Sequence, residues 1–190
     1  MEIMMLGVCV PSSESPFMLL DPAHTNYVEF GKRLSIPIIT ANRTILADGS
    51  FAKLNMNKIE LIIQDENPNA LLVIPADNPT GQYLYQHQLN DLAKICVKNN
   101  IWMVSDEAYR QLYYGNGMSS SIWRITEDDV PGIKGSRISI ESSSKVWNAC
   151  GLRIGGIVTD NQDYHKKAVS EYTANLCANV IGQEIFGVLA

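Results

Sequence analysis

With 190 residues, 46% of them hydrophobic and 18% charged, the chain has the composition of a soluble globular domain large enough for one proper core. A formal net charge of -5 and a pI near 5.2, with Lys and Arg scattered along the chain, argue against a nucleic-acid or anionic-membrane partner and favour small soluble ligands. Cys9, Cys96, Cys150 and Cys177 lie far apart, mostly in apolar runs and without CxxC or Cys/His ligand spacing. They read as reduced, buried thiols of a cytosolic protein and give no metal site.

The opening "MEIMMLGVCV" is apolar but carries Glu2, lacks a basic region and is too short to span a bilayer, so it reads as the tail of an amphipathic helix. A domain that opens in mid-helix is expected to be a piece of a longer chain. Strand-length apolar runs rich in branched residues follow at 17–21 (FMLLD), 36–40 (IPIIT), 70–75 (ALLVIP), 101–106 (IWMVSD), 137–141 (RISIE) and 153–159 (RIGGIVT). Between and after them, 55–64, 82–100 and 163–190 read as helices. In the second of these, Leu84, Leu89, Leu92, Ile95 and Cys96 mark an apolar stripe. Several strands are almost continuously apolar, as strands buried on both faces are. The expected fold is α/β: a three-layer α/β/α sandwich with a mostly parallel central sheet, whose ligands bind at the carboxyl ends of the strands. No internal repeat or low-complexity segment is visible, and "GNGMSS" (115–120) lacks the third glycine and the preceding strand of a dinucleotide-binding turn.

Three of those strand ends carry polar chemistry: "ADNPTG" (76–81), "SDEAYR" (105–110) and "SSSK" (142–145). Each alone has an ordinary explanation. Asn, Pro and Gly serve turns, an acid such as Asp106 caps a helix, a lone Lys145 is a solvated charge, and Arg153 suits a structural ion pair.

Taken together, "NPTG", "DEAY" and "SSSK" followed by "GLRIGG", in this order and with Lys145 and Arg153 eight residues apart, resemble the class I/II aminotransferases. These are pyridoxal-phosphate enzymes of the aspartate-aminotransferase fold, or fold type I. The resemblance covers nearly the whole chain and implies pyridoxal 5'-phosphate as cofactor, with each part of it wanting a different partner. It implies that Lys145 forms a Schiff base with the aldehyde and, as a free amine, moves the proton between substrate and cofactor. Asp106 would pair with the ring nitrogen, Asn78 and Tyr109 with the phenolic oxygen, and Ser142 and Arg153 with the phosphate, the guanidinium as a planar fork. Ser144 joins the phosphate set or is simply the small residue that lets the lysine turn. His24, in "PAHTNY" (22–27), falls where family members cover the ring with an aromatic side chain, and Tyr27 competes for that place. On the same ground the partners are an amino acid and a 2-oxo acid, with a homodimer in the full-length protein; the missing targeting signals and scattered charges give the expectation of a cytoplasmic setting and no nucleic-acid or membrane partner.

Ser143 departs from the apolar residue or threonine usual in the family. The resemblance also implies that residues 1–190 are the cofactor-binding large domain alone. The phosphate-binding turn before residue 1 and the small domain that clamps the substrate carboxylate would lie outside them, and the isolated piece would turn over poorly. Three other functions compete. A lyase or synthase of the same fold would use the same grip on a different substrate bond, and an aminotransferase-like sensing domain would bind without catalysis. Ser142 and Lys145 also spell the S-x-x-K of penicillin-binding acyl-transferases, but the later S-x-N and K-T-G are missing.

Overall fold

The structure, a computed structural model, describes residues 1–9, 14–112, 114–115, 118–174 and 176–188; Asn116 and Gly117 of the "GNGMSS" stretch lie outside them. In chain order the elements are α1 (Glu2–Val8), β1 (Phe17–Asp21), α2 (Thr25–Leu34), β2 (Ile38–Asn42), α3 (Met56–Glu66), β3 (Ala70–Val73) and α4 (Gln86–Lys98). There follow β4 (Trp102–Asp106), β5 (Arg137–Ser142), α5 (Ser143–Val146), β6 (Gly155–Thr159), α6 (Gln162–Thr173) and α7 (Val180–Gly187). The six strands form one sheet in the order β2-β1-β3-β4-β5-β6, parallel from β2 through β5, with β6 antiparallel to β5.

The continuous hydrophobicity of the central strands follows from burial on both faces. Met18, Leu20, Leu71, Val73 and Met103 point to one side and pack with Ile59 and Ile63 of α3 and Leu89 and Leu92 of α4. Phe17, Leu19, Ala70, Leu72 and Val104 point to the other and pack with Met4 and Met5 of α1, Tyr27 of α2 and Tyr164 of α6. The three-layer α/β/α sandwich is therefore as expected. Strands alternate with covering helices, and the parallel strands bring their carboxyl ends to one edge of the sheet.

The element bounds differ from the sequence reading where local chemistry intervenes. Pro37 has no N–H to give, and the ladder of β2 begins at Ile38 and runs on to Asn42. Arg153 adopts a left-handed conformation (φ 53°), so β6 starts only at Gly155. The long helix expected at 82–100 begins at Gln86, where Gln88 accepts from the Tyr85 N–H at 3.0 Å. The stretch 163–190, read as one helix, is two: α6 ends at Thr173, and Asn179 caps α7 by accepting from Gly182 N at 2.6 Å. Helix α2, whose stripe is only Tyr27, Val28, Phe30, Gly31 and Leu34, has no counterpart in the sequence reading. Of the four thiols only Cys9 and Cys96 are buried, with burial pushing them up to about 11 and about 12; Cys150 and Cys177 are exposed.

Candidate active site

The end of β4 supplies the acid. Asp106 is half-buried; its Oδ1 accepts from Ala108 N at 3.0 Å, which turns the chain sharply, and its Oδ2 accepts from the hydroxyl of Tyr27 at 2.5 Å. Tyr27 sits in the first turn of α2 with 1% of its surface exposed. Burial first, and then the Asp106 charge, hold its phenol well above its ordinary value of 10. The residue expected to compete for the ring-covering place is thus the hydrogen-bond donor to the acid.

Asn78 follows β3 in a turn closed by Gly81 N to Asp77 O (2.8 Å) and Asp77 N to Gln82 O (2.9 Å). Its amide Nδ2 donates to the hydroxyl of Tyr109 at 3.1 Å. Lys145 reaches the same tyrosine from β5 and α5, its Nζ lying 5.7 Å from the centre of the Tyr109 ring. An open hollow of about 530 Å³ runs along Asn78 and Tyr109, with Tyr83 and Leu112 also on its wall.

Ser142 ends β5 and caps α5, its Oγ accepting from Ser144 N at 3.1 Å. Ser143 is buried, donating from Oγ to Ile154 O at 2.9 Å and from its backbone N to the same oxygen at 3.1 Å. Those two bonds pin the lysine turn to the chain that carries Arg153, whose exposed guanidinium donates to Cys150 O at 2.9 Å. One of the glycines is required here: a Cβ on Gly155 would stand 2.7 Å from Glu141 O. His24 caps α2, its Nδ1 accepting from Asn26 N at 3.3 Å, and its ring meets Tyr27 edge-on at 6.3 Å between centres.

Hydrogen bonds and ring contacts thus join Asn78, Tyr109 and Lys145 into one chain beside Asp106, across the neighbouring strand ends β3, β4 and β5. Ser142 and Ser144 share the lysine's turn, while His24 joins the Asp106 side only through Tyr27. Sequence reasoning passed over a set of buried groups beneath them. Glu107, 2% exposed, accepts from Ser105 Oγ (3.1 Å), Ile122 N (2.7 Å) and Arg110 (3.0 Å). Arg110 also forks onto Glu141 at 3.3 and 3.1 Å, and Glu141 accepts from Ser139 Oγ at 2.8 Å. Burial, its largest influence, holds the Glu141 carboxyl above its ordinary value. The letters "DEAYR" and "RISIE" contained these residues; Glu107 and Arg110 are three apart in the chain, and the closeness of β4 and β5 brings Arg110 to Glu141.

An acid, a phenol, an amide and an amine converging from adjacent strands are the donor set that a charged, aldehyde-bearing aromatic cofactor wants, and the residues present fit such a group. Among the described residues there is no group of three His, Cys, Asp or Glu side chains fit to hold a metal ion, and no helix long and apolar enough to cross a membrane.

The mostly parallel sheet between two helical layers, with its polar groups at the strand ends, is the architecture of the pyridoxal-phosphate-dependent transferases. Residues 3–186 match the family model "Aminotransferase class I and II", and the chain belongs to that family, whose cofactor is pyridoxal 5'-phosphate. It is 29% identical over 159 residues to an aspartate aminotransferase of Sulfolobus acidocaldarius, covering 84% of this chain and 37% of that one. In fold it is similar to cystalysin of Treponema denticola, a structure that contains pyridoxal 5'-phosphate, with a TM-score of 0.84 at 19% identity over 96% of this chain and 45% of that one. It is also similar to a pyridoxal-phosphate-bound C-S lyase of Staphylococcus hominis, with a TM-score of 0.78 at 18% identity over 95% and 44%. The chain spans less than half the length of each of these relatives.

Proposed function

We propose that the protein of which this chain forms the cofactor-binding part transfers an amino group between an amino acid and a 2-oxo acid, with Lys145 as the covalent anchor for pyridoxal phosphate. The observation that carries this reading is the chain Asn78–Tyr109–Lys145 set beside Asp106 at three adjacent strand ends. When bound, the cofactor supplies an electron sink for the carbanion left when a proton leaves the substrate's α-carbon.

The residues do the rest. Lys145 Nζ would hold the aldehyde and, as a free amine, would take and return the proton at the substrate α-carbon. Asp106 would keep the ring nitrogen protonated, its carboxylate oriented by the Tyr27 hydroxyl on Oδ2 and Ala108 N on Oδ1. Tyr109 and Asn78, bonded to each other, hold the phenolic oxygen. Ser142, Ser144 and Arg153 would hold the phosphate, and His24 would cover the ring. On this reading the whole protein works as a homodimer in the cytoplasm.

A lyase acting through the same residues is the second reading, favoured by the C-S lyase of like fold. The bond broken depends on how the substrate is oriented, so fold alone does not choose.

The test is a visible spectrum of the purified protein with added pyridoxal 5'-phosphate, wild type beside Lys145→Ala. The wild type is expected to gain an absorbance band that borohydride bleaches irreversibly, and the variant to lack it. An equal band in the variant removes Lys145 from the role. Amino acids offered to the loaded protein then separate the two readings by product: amino transfer converts the donor to its 2-oxo acid without releasing thiol or ammonia, whereas C-S elimination releases a thiol and ammonia along with a 2-oxo acid.

A further inference from the structure

Arg43 stands at the end of the edge strand β2, in the run "TANRTIL", and carries no recognisable pattern. Its side chain is nevertheless only 3% exposed and forms an ion pair at 2.8 Å with Asp77, itself 6% exposed. The guanidinium is divided between two loops. Toward the loop after β1 it donates to Leu20 O (3.2 Å), Asp21 O (3.4 Å) and Pro22 O, and the Arg43 backbone N adds a bond to Asp21 O (2.8 Å). Toward the turn after β3 it meets Asp77, Thr80 Oγ1 (3.4 Å) and Gln82 Oε1 (3.3 Å). Thr80 in turn donates to Asp77, and Gln82 N donates to Thr80 Oγ1 at 3.1 Å, so the turn is tied around the ion pair. The face of the Phe51 ring closes over the guanidinium at 5.5 Å.

The residues next along the chain give this arrangement a use. Asp77 precedes Asn78, and Pro22 lies two residues before His24 and five before Tyr27. The same small cleft is lined by His24, Tyr27, Arg43 and Asp77. A planar fork fixes both loops in distance and in angle, which a point charge cannot do. We infer that Arg43 is a positioning residue of the candidate site, a clamp that sets Asn78 on one side and His24 with Tyr27 on the other in a single geometry. The part of this inference that concerns the cofactor rests on the function proposed above; the coupling of the two loops does not.

The clamp makes a prediction that generic stabilisation does not. Losing it should loosen 20–27 and 76–84 together while the lysine turn stays as it was, and displacement of Asn78 should change how the phenolic oxygen of the cofactor is held. The experiment compares wild type with Arg43→Lys, Arg43→Met and Asp77→Asn. If Arg43→Met does not fold, because it leaves Asp77 a buried unpaired charge, the other two carry the test.

Hydrogen–deuterium exchange is measured first without cofactor. Faster exchange in both loops of Arg43→Lys, with β4 and β5 unchanged, is the expected result. Pyridoxal 5'-phosphate is then titrated in, and its affinity and the pH midpoint of its visible band are read. Arg43→Lys should bind about tenfold more weakly, with a displaced midpoint, as small misplacements of site groups cost binding out of proportion to their size. Folded variants with wild-type exchange in both loops overturn the clamp. Faster exchange with wild-type affinity and midpoint overturns its role in positioning the site. If the wild type gives no band while both loops loosen in the variants, the proposed function fails and the coupling of the loops stands.

Discussion

The hydrogen bond from Tyr27 OH to Asp106 Oδ2, at 2.5 Å, joins a phenol with almost no solvent access to the acid assigned to the ring nitrogen. A hydrogen bond to a charged acceptor contributes on the order of 1.5–3 kcal/mol, and Asp106 keeps some contact with water, so Tyr27→Phe should cost about 1.5 kcal/mol in urea unfolding at neutral pH. The pH dependence has a definite sign. The folded pKa of Tyr27 lies well above the value near 10 that the unfolded chain has, so the folded state holds this proton more tightly. Its contribution is complete below about pH 10 and is lost as pH rises from there toward the folded value. The stability gap between wild type and Tyr27→Phe should therefore be flat from pH 7 to about 9.5 and narrow above about 10. A gap that stays constant to pH 11.5 would show that Tyr27 titrates normally. The loaded variant should also show a shifted pH midpoint of the cofactor band, because Asp106 would lose the hydrogen bond from Tyr27. Sequence reasoning named Tyr27 only as a competitor of His24 for the ring-covering place. A spacing of three from His24 says that two side chains are near, while only the packing of α2 against β4 says that the hydroxyl reaches Asp106, 79 residues away.

At the scale of elements, β1, β3 and β4 were legible because strands buried on both faces leave a nearly unbroken apolar run. Helix α2 was not, since a ten-residue helix with one face on the sheet shows barely two turns of pattern, and its stripe includes a glycine. The glycines of "GLRIGG" were legible as a pattern, but the reason for each was not. At the β5–β6 pairing, Ser142 lies opposite Gly155 and Glu141 opposite Gly156. A methyl on Gly155 would sit 2.7 Å from Glu141 O, whereas one on Gly156 would meet nothing within 4 Å. Gly155→Ala must therefore push β6 away from β5 and move Arg153 relative to the lysine turn. It should cost about 1–3 kcal/mol, with a lower melting temperature and weaker retention of pyridoxal phosphate. Gly156→Ala should stay within about 0.5 kcal/mol of wild type by the same measurements. Equal effects from the two substitutions would mean that the pair is loose enough to absorb a methyl, and that the close approach does not constrain the site.

Over the whole molecule, the strand-end residues could be grouped from sequence because a parallel sheet sends every carboxyl end the same way. Local pattern and one topological rule then place Asn78, Asp106 and Lys145 on one edge. The ion pairs of Arg43 with Asp77 and of Arg110 with Glu141 join segments far apart in the chain and stayed invisible for that reason, while Arg110 and Glu107, three residues apart, were passed over because spacing alone does not show that Glu107 is buried. The same distinction governs the outer surface. Composition suggested a soluble domain, yet composition does not say where the apolar residues lie, and along and before α7 they face outward: Leu176, Val180, Ile181, Ile185 and Val188 are all exposed. An edge contact between Trp147 and Phe186, at 6.0 Å between ring centres, ties α7 back toward the lysine turn. A contiguous face of this kind favours association, since each large side chain removed from water contributes on the order of 1.5–3 kcal/mol, and a net charge of -5 opposes it only weakly at physiological salt. The chain should therefore sediment as a concentration-dependent mixture of monomer and larger species at tens of micromolar, roughly the range where one such patch acts. Replacing Ile181 and Ile185 together with Glu should shift it to monomer with an unchanged far-UV spectrum, because both side chains lie outside the two cores. If the double variant associates as the wild type does, the contact lies on another face. If it unfolds, α7 is held by its apolar residues more strongly than their exposure allows.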